Sequence, residues 1–404
     1  MLLPLLLALM QRRDCTGAAT PVVAPEGYCV RVFAARVGAV RHLVVHPSGT
    51  IVVATKTRPG LLRLRDTTGD GVADVIVPFG PGLGGTGVTW SAGWLYFAAD
   101  AGVIRYRWPA GATAPADSGE WIARNLPARS KGSAHYMKGI AIGRDGTAYV
   151  SIGSGSDNCQ MADRLKGSPG RWPCEELSTR AGIWQFTPPT GKGTWHGERY
   201  AAGLRNAMAI ATDPLSGRVW AATHGRDYLN RVWGWPDSVS ADQPAELLVD
   251  ATRNADFGWP YCHGQYTAAR TLLIRSPDYA GHRDIDCATR TPPAMGFPGH
   301  WAPMAIAVVA KELPAPWRNG LLVVFHGSRS RSPLPEQGHG VVFVPFDARG
   351  NVRGSSRQFI AAAGRPGVLR LAGIAVAPGG VVYLSDDDHG KIYRLEPRNR
   401  HDTR

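Results

Sequence analysis

The chain has 404 residues, of which 44% are hydrophobic, and its 45 Lys plus Arg exceed its 32 Asp plus Glu by a formal net charge of +13. This length fits two or three average domains or one large all-β domain. A basic surface attracts anions, but the sequence has no run of five basic residues and no nucleic-acid-binding module. We therefore expect no nucleic-acid partner.

The N-terminal segment MLLPLLLALMQRRDC contains an apolar run at residues 2–10, which is too short for a membrane helix of about 20 residues. It resembles the core of a signal peptide, although a basic segment before it and a clear cleavage site after it are missing. We predict residues 1–27 to be an export leader or a disordered N-terminus, residues 28–396 to be a single domain, and residues 397–404 to be a disordered tail. No other segment is expected to cross a membrane.

The six cysteines fall into three pairs of sequence neighbours, which are Cys15 with Cys29, Cys159 with Cys174, and Cys262 with Cys287. No CxxC motif is present, which argues against a structural zinc site. Disulfides between neighbours are the simplest pairing, and they indicate a periplasmic or secreted protein. The alternative is six reduced thiols in a cytosolic protein.

A short hairpin pattern recurs along the chain: an apolar strand, a turn with Pro, Gly or Asp, and a second strand rich in β-branched and aromatic residues. The six copies span residues 41–55, 86–100, 138–152, 206–223, 304–327 and 372–386. Further strand-like segments lie between several of them, and no stretch has sustained helical periodicity. This pattern predicts an all-β, six-bladed β-propeller, with a β-sandwich or two stacked barrels as the alternative.

The ends of the chain and one long insertion complete this architecture. We predict that the first strand, 28–34, closes the ring beside the last strand, 390–396. The spacing of the repeats is widest between the fourth and fifth copies, where residues 254–303 include Cys262 and Cys287. Long ordered loops are usually functional. We therefore predict a cysteine-stapled loop insertion between blades four and five that covers one face of the ring and forms part of the wall of the site.

Polar residues directly before the third and fourth hairpins are the first candidates for chemistry. His135 could act as a general base if it points at the propeller axis. Arg205 and Asn206 hold the equivalent place one repeat later, where a cation and an amide could stabilise a developing negative charge. The simpler alternatives are a packed or surface histidine and an arginine that only bonds a neighbouring loop.

The segment THGRDYLN (223–230) offers hard oxygen ligands. The carboxylate of Asp227 and the main-chain carbonyls of Gly225 and Arg226 would suit Ca²⁺. Trp259 and Trp301 have flat faces that suit a planar cofactor or a sugar ring, or they pack the loops.

Two further arginines, Arg331 and Arg370, could clamp a polycarboxylate, or they are ordinary surface arginines. The segment DTTGDGVAD (66–74) resembles a calcium loop, with oxygens at Asp66, Thr68, Asp70 and Asp74. Because Thr68 stands where a carboxylate or amide is usual, we predict a Gly-containing turn between strands instead. The segment 385–391 is predicted to be a solvated turn. The sequence has no GxSxG, HExxH, P-loop or dinucleotide-binding motif, which argues against a triad hydrolase and against an NAD enzyme.

The order of these motifs resembles the soluble quinoprotein glucose/sorbosone dehydrogenase family from about residue 29 to residue 395. The motifs are His135, GLRN (203–206), HGRD (224–227), FGWP (257–260), GHWAP (299–303), FHGSRSR (325–331) and GIAVAPGGVVYLSDD (373–387). The resemblance implies a propeller that holds pyrroloquinoline quinone (PQQ) and Ca²⁺ on its axis. Such a protein oxidises a sugar or another alcohol and passes the electrons to an external acceptor.

The resemblance also assigns roles to individual residues. His135 would take the proton of the substrate hydroxyl while hydride moves to the quinone, and Arg205 would polarise the quinone carbonyl with Asn206 beside it. Main-chain oxygens of Gly225 and Arg226, next to Asp227, would hold Ca²⁺. The other implied cofactor contacts are Trp301, Arg331, Arg370 and Lys138.

The sequence departs from the soluble glucose enzymes of this family at Ala134, where they have an acidic residue next to the base, and at Ala372, where they have an arginine. The sorbosone and pyranose dehydrogenase branch is therefore the better match, and glucose is not the expected substrate. Two rival functions stay open. One is a Ca²⁺-dependent propeller lactonase, for which only Asn206 and Asp227 are obvious ligands, and the other is a propeller that binds glycans without chemistry.

Overall fold

The computed structural model of the protein describes residues 20–129, 135–191, 193–267 and 270–398. Cys15, Ala134, residues 1–19 of the predicted leader and residues 399–404 of the predicted tail lie outside these ranges. The predictions made for them, including the Cys15–Cys29 disulfide, therefore stay predictions.

The first half of the chain forms two initial strands and three successive sheets. The initial strands are β1 (Val22–Val23) and β2 (Tyr28–Ala35). Blade one is β3 (Val40–Val45), β4 (Ile51–Thr55), β5 (Leu61–Arg65) and β6 (Val75–Phe79). Blade two is β7 (Gly85–Ser91), β8 (Trp94–Ala99), β9 (Gly102–Arg107) and β10 (Glu120–Ala123). Blade three is β11 (Ile140–Ile142), β12 (Ala148–Ile152), β13 (Gly182–Thr187) and β14 (His196–Ala202).

The second half adds three more sheets and the two α-helices. Blade four starts with β15 (Ala209–Thr212) and β16 (Val219–Thr223), followed by α1 (Leu229–Trp233), α2 (Asp237–Ser240) and β17 (Glu246–Ala251). Next come β18 (Ala255–Asp256), the hairpin β19 (Cys262–Tyr266) and β20 (Thr271–Arg275), and β21 (Met295–Phe297). Blade five is β22 (Pro303–Val309), β23 (Gly320–His326), β24 (His339–Pro345) and β25 (Arg357–Ala362). Blade six contains β26 (Leu371–Val376), β27 (Val382–Asp386) and β28 (Lys391–Pro397).

The predicted six-bladed propeller and its closure are confirmed. Strand β2 pairs antiparallel with β28, from Tyr28 opposite Pro397 to Ala35 opposite Lys391, and so completes blade six. The fold also begins earlier than residue 28, because β1 pairs with β25 at the edge of blade five. The first and last strands of the described chain, β1 and β28, thus belong to the neighbouring blades five and six, and the pairing of β1 with β25 and of β2 with β28 protects two sheet edges.

Apolar side chains fill the space between each pair of consecutive blades. Between blades six and one, for example, Phe33 and Ile392 pack with Leu43 and Leu64. The first strands of the six blades touch in a ring, in the order β3, β7, β11, β15, β22, β26 and back to β3. This arrangement places the start of every first strand and the end of every second strand at the same end of the axis.

The insertion differs from its predicted place. It lies inside blade four, between β17 and the outer strand β21, rather than between blades four and five. It is also structured: β18 runs parallel to β14 of blade three, and β19 pairs with β20. The short outer strand β21, Met295–Phe297, has too few residues for a sequence pattern to reveal it.

Two of the predicted disulfides are confirmed. Cys159–Cys174 closes the loop after β12, and Cys262–Cys287 staples the insertion, with Cα–Cα distances of 6.2 and 5.9 Å. In the part of the chain that the structure describes, no helix combines the length and apolar character that a membrane span requires.

The insertion disulfide should contribute measurably to stability, because its 25-residue separation limits the conformations of the unfolded chain. We expect Cys262→Ala with Cys287→Ala to lower the free energy of unfolding by about 2–4 kcal/mol, measured from the urea midpoint at unchanged slope. An unchanged midpoint in the double variant would contradict this.

Candidate active site

Polar side chains gather in a cavity of about 430 Å³ at one end of the propeller axis. They come from two kinds of position: residues just before a first strand, such as His135, Arg205 and Arg370, and residues just after a second strand, such as Asp227 and Asp387. These positions meet because all first strands surround the axis. The volume lies in the range of small-molecule sites, about 300–1,000 Å³.

Arg205 is the most heavily bonded cation of the cavity. Its side chain is 3% exposed, and it donates from Nη2 to Asp157 Oδ1 at 2.6 Å and to Asp227 Oδ2 at 3.0 Å. It also donates from Nε to the Asp157 carbonyl at 3.0 Å and from Nη1 to the Gly225 carbonyl at 2.7 Å. These bonds fix the guanidinium between the loop after β12 and the loop after β16.

His135 lies beside Arg205 in the cavity wall. Its Nδ1 lies 2.9 Å from Ser154 Oγ and 3.2 Å from the Ser154 carbonyl oxygen. Because a carbonyl oxygen only accepts, Nδ1 carries the proton and Nε2 keeps its lone pair. Burial, followed by the charge of Arg205, holds the pKa of His135 well below its ordinary value, so the ring is neutral at pH 7.

The residue that orients this imidazole is therefore Ser154, not a neighbour of His135 in sequence. Ser154 follows β12 and donates its hydroxyl to the Ser156 carbonyl at 2.6 Å. Ala134, where the sequence departs from the soluble glucose enzymes, lies outside the described chain. A neutral hydroxyl at this place does not raise the basicity of the ring as a carboxylate would.

Asn206 supports a second neutral histidine. Its amide Nδ2 lies 3.3 Å from Nδ1 of His224, whose Nε2 is 2.8 Å from the Pro303 carbonyl and therefore carries the proton. Burial lowers the pKa of His224 to about 4. Asn206 thus positions a cavity-lining residue and is not itself part of the lining.

Asp227 and Glu246 are neighbouring carboxyls with opposite behaviour. Burial alone would raise the pKa of Asp227, but the charges of Arg205 and His300 keep it well below its usual range. His300 Nδ1 lies 3.5 Å from Asp227 Oδ1. Burial alone would lower the pKa of His300, but the hydrogen bond to Asp227 and the negative charge of Asp227 raise it. Burial raises the pKa of Glu246 to about 7, although it accepts bonds from the Gly225 and Ala302 amides at 2.9 and 3.2 Å.

The opposite wall holds a second buried ion pair. Asp387 bonds Arg41 through Oδ2 and lies 2.8 Å from Nε2 of His326 through Oδ1. Burial opposes ionisation, but His326 and Arg41 lower the pKa of Asp387 to about 2. The prediction of a solvated turn at 385–391 is wrong at this residue, which lies inside the cavity.

Three predicted cofactor contacts have other partners in the structure. Lys138 donates to the carbonyls of Asp100, Pro127 and Tyr136 at 2.6–2.8 Å and lies behind the cavity wall. Trp301 packs edge-on against Phe325, with ring centroids 5.3 Å apart.

Arg331 donates to Asp242 and to the carbonyls of Ala241 and Pro335. Among the residues that the structure describes, these three are not part of the cavity lining, whereas Arg370 is. Arg370 bonds Glu336 and lies 3.8 Å from Asp388.

The predicted Ca²⁺ ligands lie close to cations. Gly225 O accepts from Arg205, Asp227 Oδ2 accepts from Arg205 and from Arg164 at 3.3 Å, and His300 faces Asp227 Oδ1. The side chain of Arg226 is buried and bonds Asp278. Gly225 O and Asp227 Oδ2 already accept from arginines. A divalent cation bound to these two oxygens would have to displace a fixed positive charge, so as they stand they do not fit a Ca²⁺ site.

Sequence reasoning missed several cavity residues, although the repeats contain a signal for them. Asp387 and Lys56 each follow the second strand of a blade, as Asp227 does, and His326 ends such a strand. Asp157, the buried partner of Arg205, has the same kind of position after β12. An alignment of the six hairpins on their second strands would have placed these residues at one end of the axis. Glu246 and Arg41 lie within strands, where a polar residue is normally expected to face solvent, so the sequence offered no reason to place them in the cavity.

Solved structures of known proteins share this fold. The carbohydrate-active enzyme of family AA12 from Trichoderma reesei matches with a TM-score of 0.73 and 19% identity over 94% of this chain and 98% of that one. The PQQ domain of pyranose dehydrogenase from Coprinopsis cinerea, in its holo form, matches with a TM-score of 0.71 and 17% identity over 94% and 98%. The PQQ-bound aldose sugar dehydrogenase from Streptomyces coelicolor matches with a TM-score of 0.56 and 17% identity over 93% and 99%.

Among curated proteins, no sequence matches this chain. A family model does match: the one described as TrAA12-like aligns with residues 22–398, which is nearly the whole described chain. The resemblance to the soluble quinoprotein sugar dehydrogenases that the sequence motifs indicated is thereby confirmed, and the chain belongs to the TrAA12-like family.

Proposed function

We propose that this protein is a secreted or periplasmic dehydrogenase that oxidises a hydroxyl of an aldose or related sugar with PQQ as its cofactor and passes the electrons to an external acceptor. The observation that carries the proposal is the neutral His135, whose Nε2 lone pair is free in an axial cavity next to the fixed cation Arg205. Family membership and the two PQQ-containing structural neighbours support the choice of cofactor.

The charges of the cavity suit PQQ, which is a planar tricarboxylate. Arg41, Lys56, Arg205 and Arg370 all contribute to its lining. The Nε of Arg41 is buried and has no hydrogen-bond partner within the described chain, so it has a donor to offer. Lys56 is exposed at the rim, where its ammonium group can meet a carboxylate.

When bound, PQQ would accept a hydride, which is the C–H hydrogen with its two electrons, from the carbon that carries the substrate hydroxyl. His135 supplies the complementary step, because its neutral Nε2 can take the hydroxyl proton. Ser154 keeps the proton on Nδ1 and so keeps the lone pair directed away from the loop. Arg205 cannot move without breaking four bonds, so its charge stays in place beside the reacting groups.

Calcium remains a predicted second cofactor, and no catalytic step is assigned to it here. A cation at Gly225 O would have to displace the Nη1 of Arg205. Activity after reconstitution with PQQ should therefore be compared with and without Ca²⁺.

The rival functions have less support. A propeller lactonase needs several axial carboxylates free to bind a metal, but Asp227 and Asp387 are paired with Arg205 and Arg41, and Glu246 accepts two main-chain N–H bonds. A propeller that only binds glycans does not require a proton acceptor, so it does not explain a neutral, oriented histidine beside a buried arginine. The two confirmed disulfides agree with an oxidising compartment.

Reconstitution tests the function directly. We expect the full-length protein to bind PQQ and to reduce a redox dye in the presence of some members of a sugar and alcohol panel. His135→Ala should still bind PQQ but lose activity by about 10²–10⁴-fold, because the general base is gone. The matched control is His282→Ala. It removes a histidine of the insertion that packs on Trp172 of the loop after β12, and it should keep full activity.

Two outcomes would overturn this proposal. If micromolar PQQ does not bind, the cofactor is wrong. If His135→Ala turns over as fast as the wild type, His135 is not the base.

The neutrality of His135 can be measured without any cofactor. Burial is the larger cause of the low pKa of His135, and the charge of Arg205 lowers it further. We therefore expect Arg205→Met to raise that pKa, while Arg205→Lys, which keeps the charge, changes it less. NMR titration of protein labelled at histidine Cε1, with His135→Gln for assignment, gives the value. The base acts only when neutral, so the acid limb of activity should move to higher pH in Arg205→Met. An unchanged pKa of His135 in Arg205→Met would contradict the electrostatic account.

A further inference from the structure

A second cavity lies on the insertion, apart from the axis. It is a groove of about 360 Å³ between the segment around α2 and the hairpin β19–β20. Among the residues that the structure describes, its lining shares no residue with the lining of the axial cavity. No role in the proposed oxidation falls on it.

The groove is built on a rigid floor. The side-chain amide of Gln243 bonds the backbone of Tyr266 twice, donating to its carbonyl at 2.7 Å and accepting from its N–H at 2.8 Å. The Ala245 amide donates to Gly264 O at 2.9 Å, and a Cβ at Gly264 would lie 2.6 Å from Leu247. Hairpin and blade are thus held in close contact, so the groove keeps its shape.

His263 is the unusual member of this lining. It is 8% exposed, and within the described chain neither of its ring nitrogens has a hydrogen-bond partner. Burial, followed by the charge of Arg226, lowers the pKa of His263 to about 3, so the ring is neutral and offers one donor and one acceptor. Buried polar groups of this kind are normally paired. A ligand hydroxyl can both donate and accept a hydrogen bond, so it could bond either nitrogen of the His263 ring.

The rest of the lining has the same character. Trp235 and Tyr266 are partly exposed, the Trp235 ring lies 6.0 Å from that of His263, and Gln265 is exposed. Of the described residues that line the groove, none is Asp, Glu, Lys or Arg, in a chain whose net charge is +13. A neutral ligand with apolar faces and many hydroxyls matches flat rings, amides and a neutral imidazole.

We propose that this groove is a binding subsite for neutral glycans, taking pyranose units of an oligosaccharide against Trp235 and Tyr266 with a hydroxyl bonded to His263. The subsite is separate from the axial site. It would hold the protein on an oligomeric or polymeric carbohydrate while the axial cavity acts on sugars. If this glycan subsite proved wrong, the proposed oxidation would not be affected, because the linings of the groove and of the axial cavity share no residue.

The test is calorimetric titration of the full-length protein, with and without PQQ, using cellohexaose and maltohexaose as probes. We expect at least one of them to bind, and we expect Trp235→Ala and His263→Phe each to weaken that binding at least tenfold. Trp172→Ala removes another exposed tryptophan of the same region and should bind like the wild type. Activity of the PQQ-loaded Trp235→Ala variant on a monosaccharide should be unchanged.

His263→Phe keeps a ring of similar shape and removes both nitrogens, so it separates a ligand role from a structural one. We expect it to lose the glycan without a fall in melting temperature. If it melts at a lower temperature and still binds the glycan, the nitrogens serve an internal water and the proposal is overturned. Binding of neither probe, equal binding by Trp235→Ala, or equal binding of a hexagalacturonate would also overturn it.

Discussion

The buried guanidinium of Arg205 is the interaction on which the site depends. It joins Asp157, which is fully buried after β12, to Asp227 and the Gly225 carbonyl after β16. A buried charge pair adds little net stability compared with apolar packing, but losing one partner leaves an uncompensated charge at large cost. The contact therefore fixes the relative positions of the loops of blades three and four, and it sets the potential that His135 experiences.

The charges of the cavity follow from this arrangement. Burial and a neighbouring cation keep His135 neutral, and burial keeps His224 neutral, while Asp227 and Asp387 stay ionised because each faces an arginine and a histidine. The proton acceptor His135 thus lies in a cavity with two buried ion pairs, Arg205–Asp227 and Arg41–Asp387, whose carboxylates stay ionised at neutral pH. Such a preorganised polar site supports chemistry on a neutral sugar hydroxyl, since nothing has to reorient when charge develops.

The sequence was sufficient for the repeat architecture and for part of the site. The hairpin pattern repeats because each blade packs its apolar side chains against two neighbouring blades in the same way. His135, Arg205 and Asp227 could be identified because they flank the strands of these hairpins. Lys138, Trp301 and Arg331 each have at least one partner that is distant in sequence, which a sequence pattern does not reveal. These partners are the Asp100 carbonyl, the Phe325 ring and the Ala241 carbonyl, respectively. Ser154 orients His135 across a separation of 19 residues that only the pairing of β11 with β12 makes short. Blade four showed the same limit, because residues 252–294 separate its outer strand β21 from β17.

The most direct test of this account is a double-mutant cycle between Arg205 and Asp157, measured by urea unfolding of Arg205→Met, Asp157→Leu and the double variant. If the pair is the organising contact, each single substitution should lower the free energy of unfolding by about 3–5 kcal/mol. The double substitution should then cost less than the sum, with a coupling energy of about 1–3 kcal/mol. Small single effects that simply add would contradict the central claim that this buried pair holds the site together.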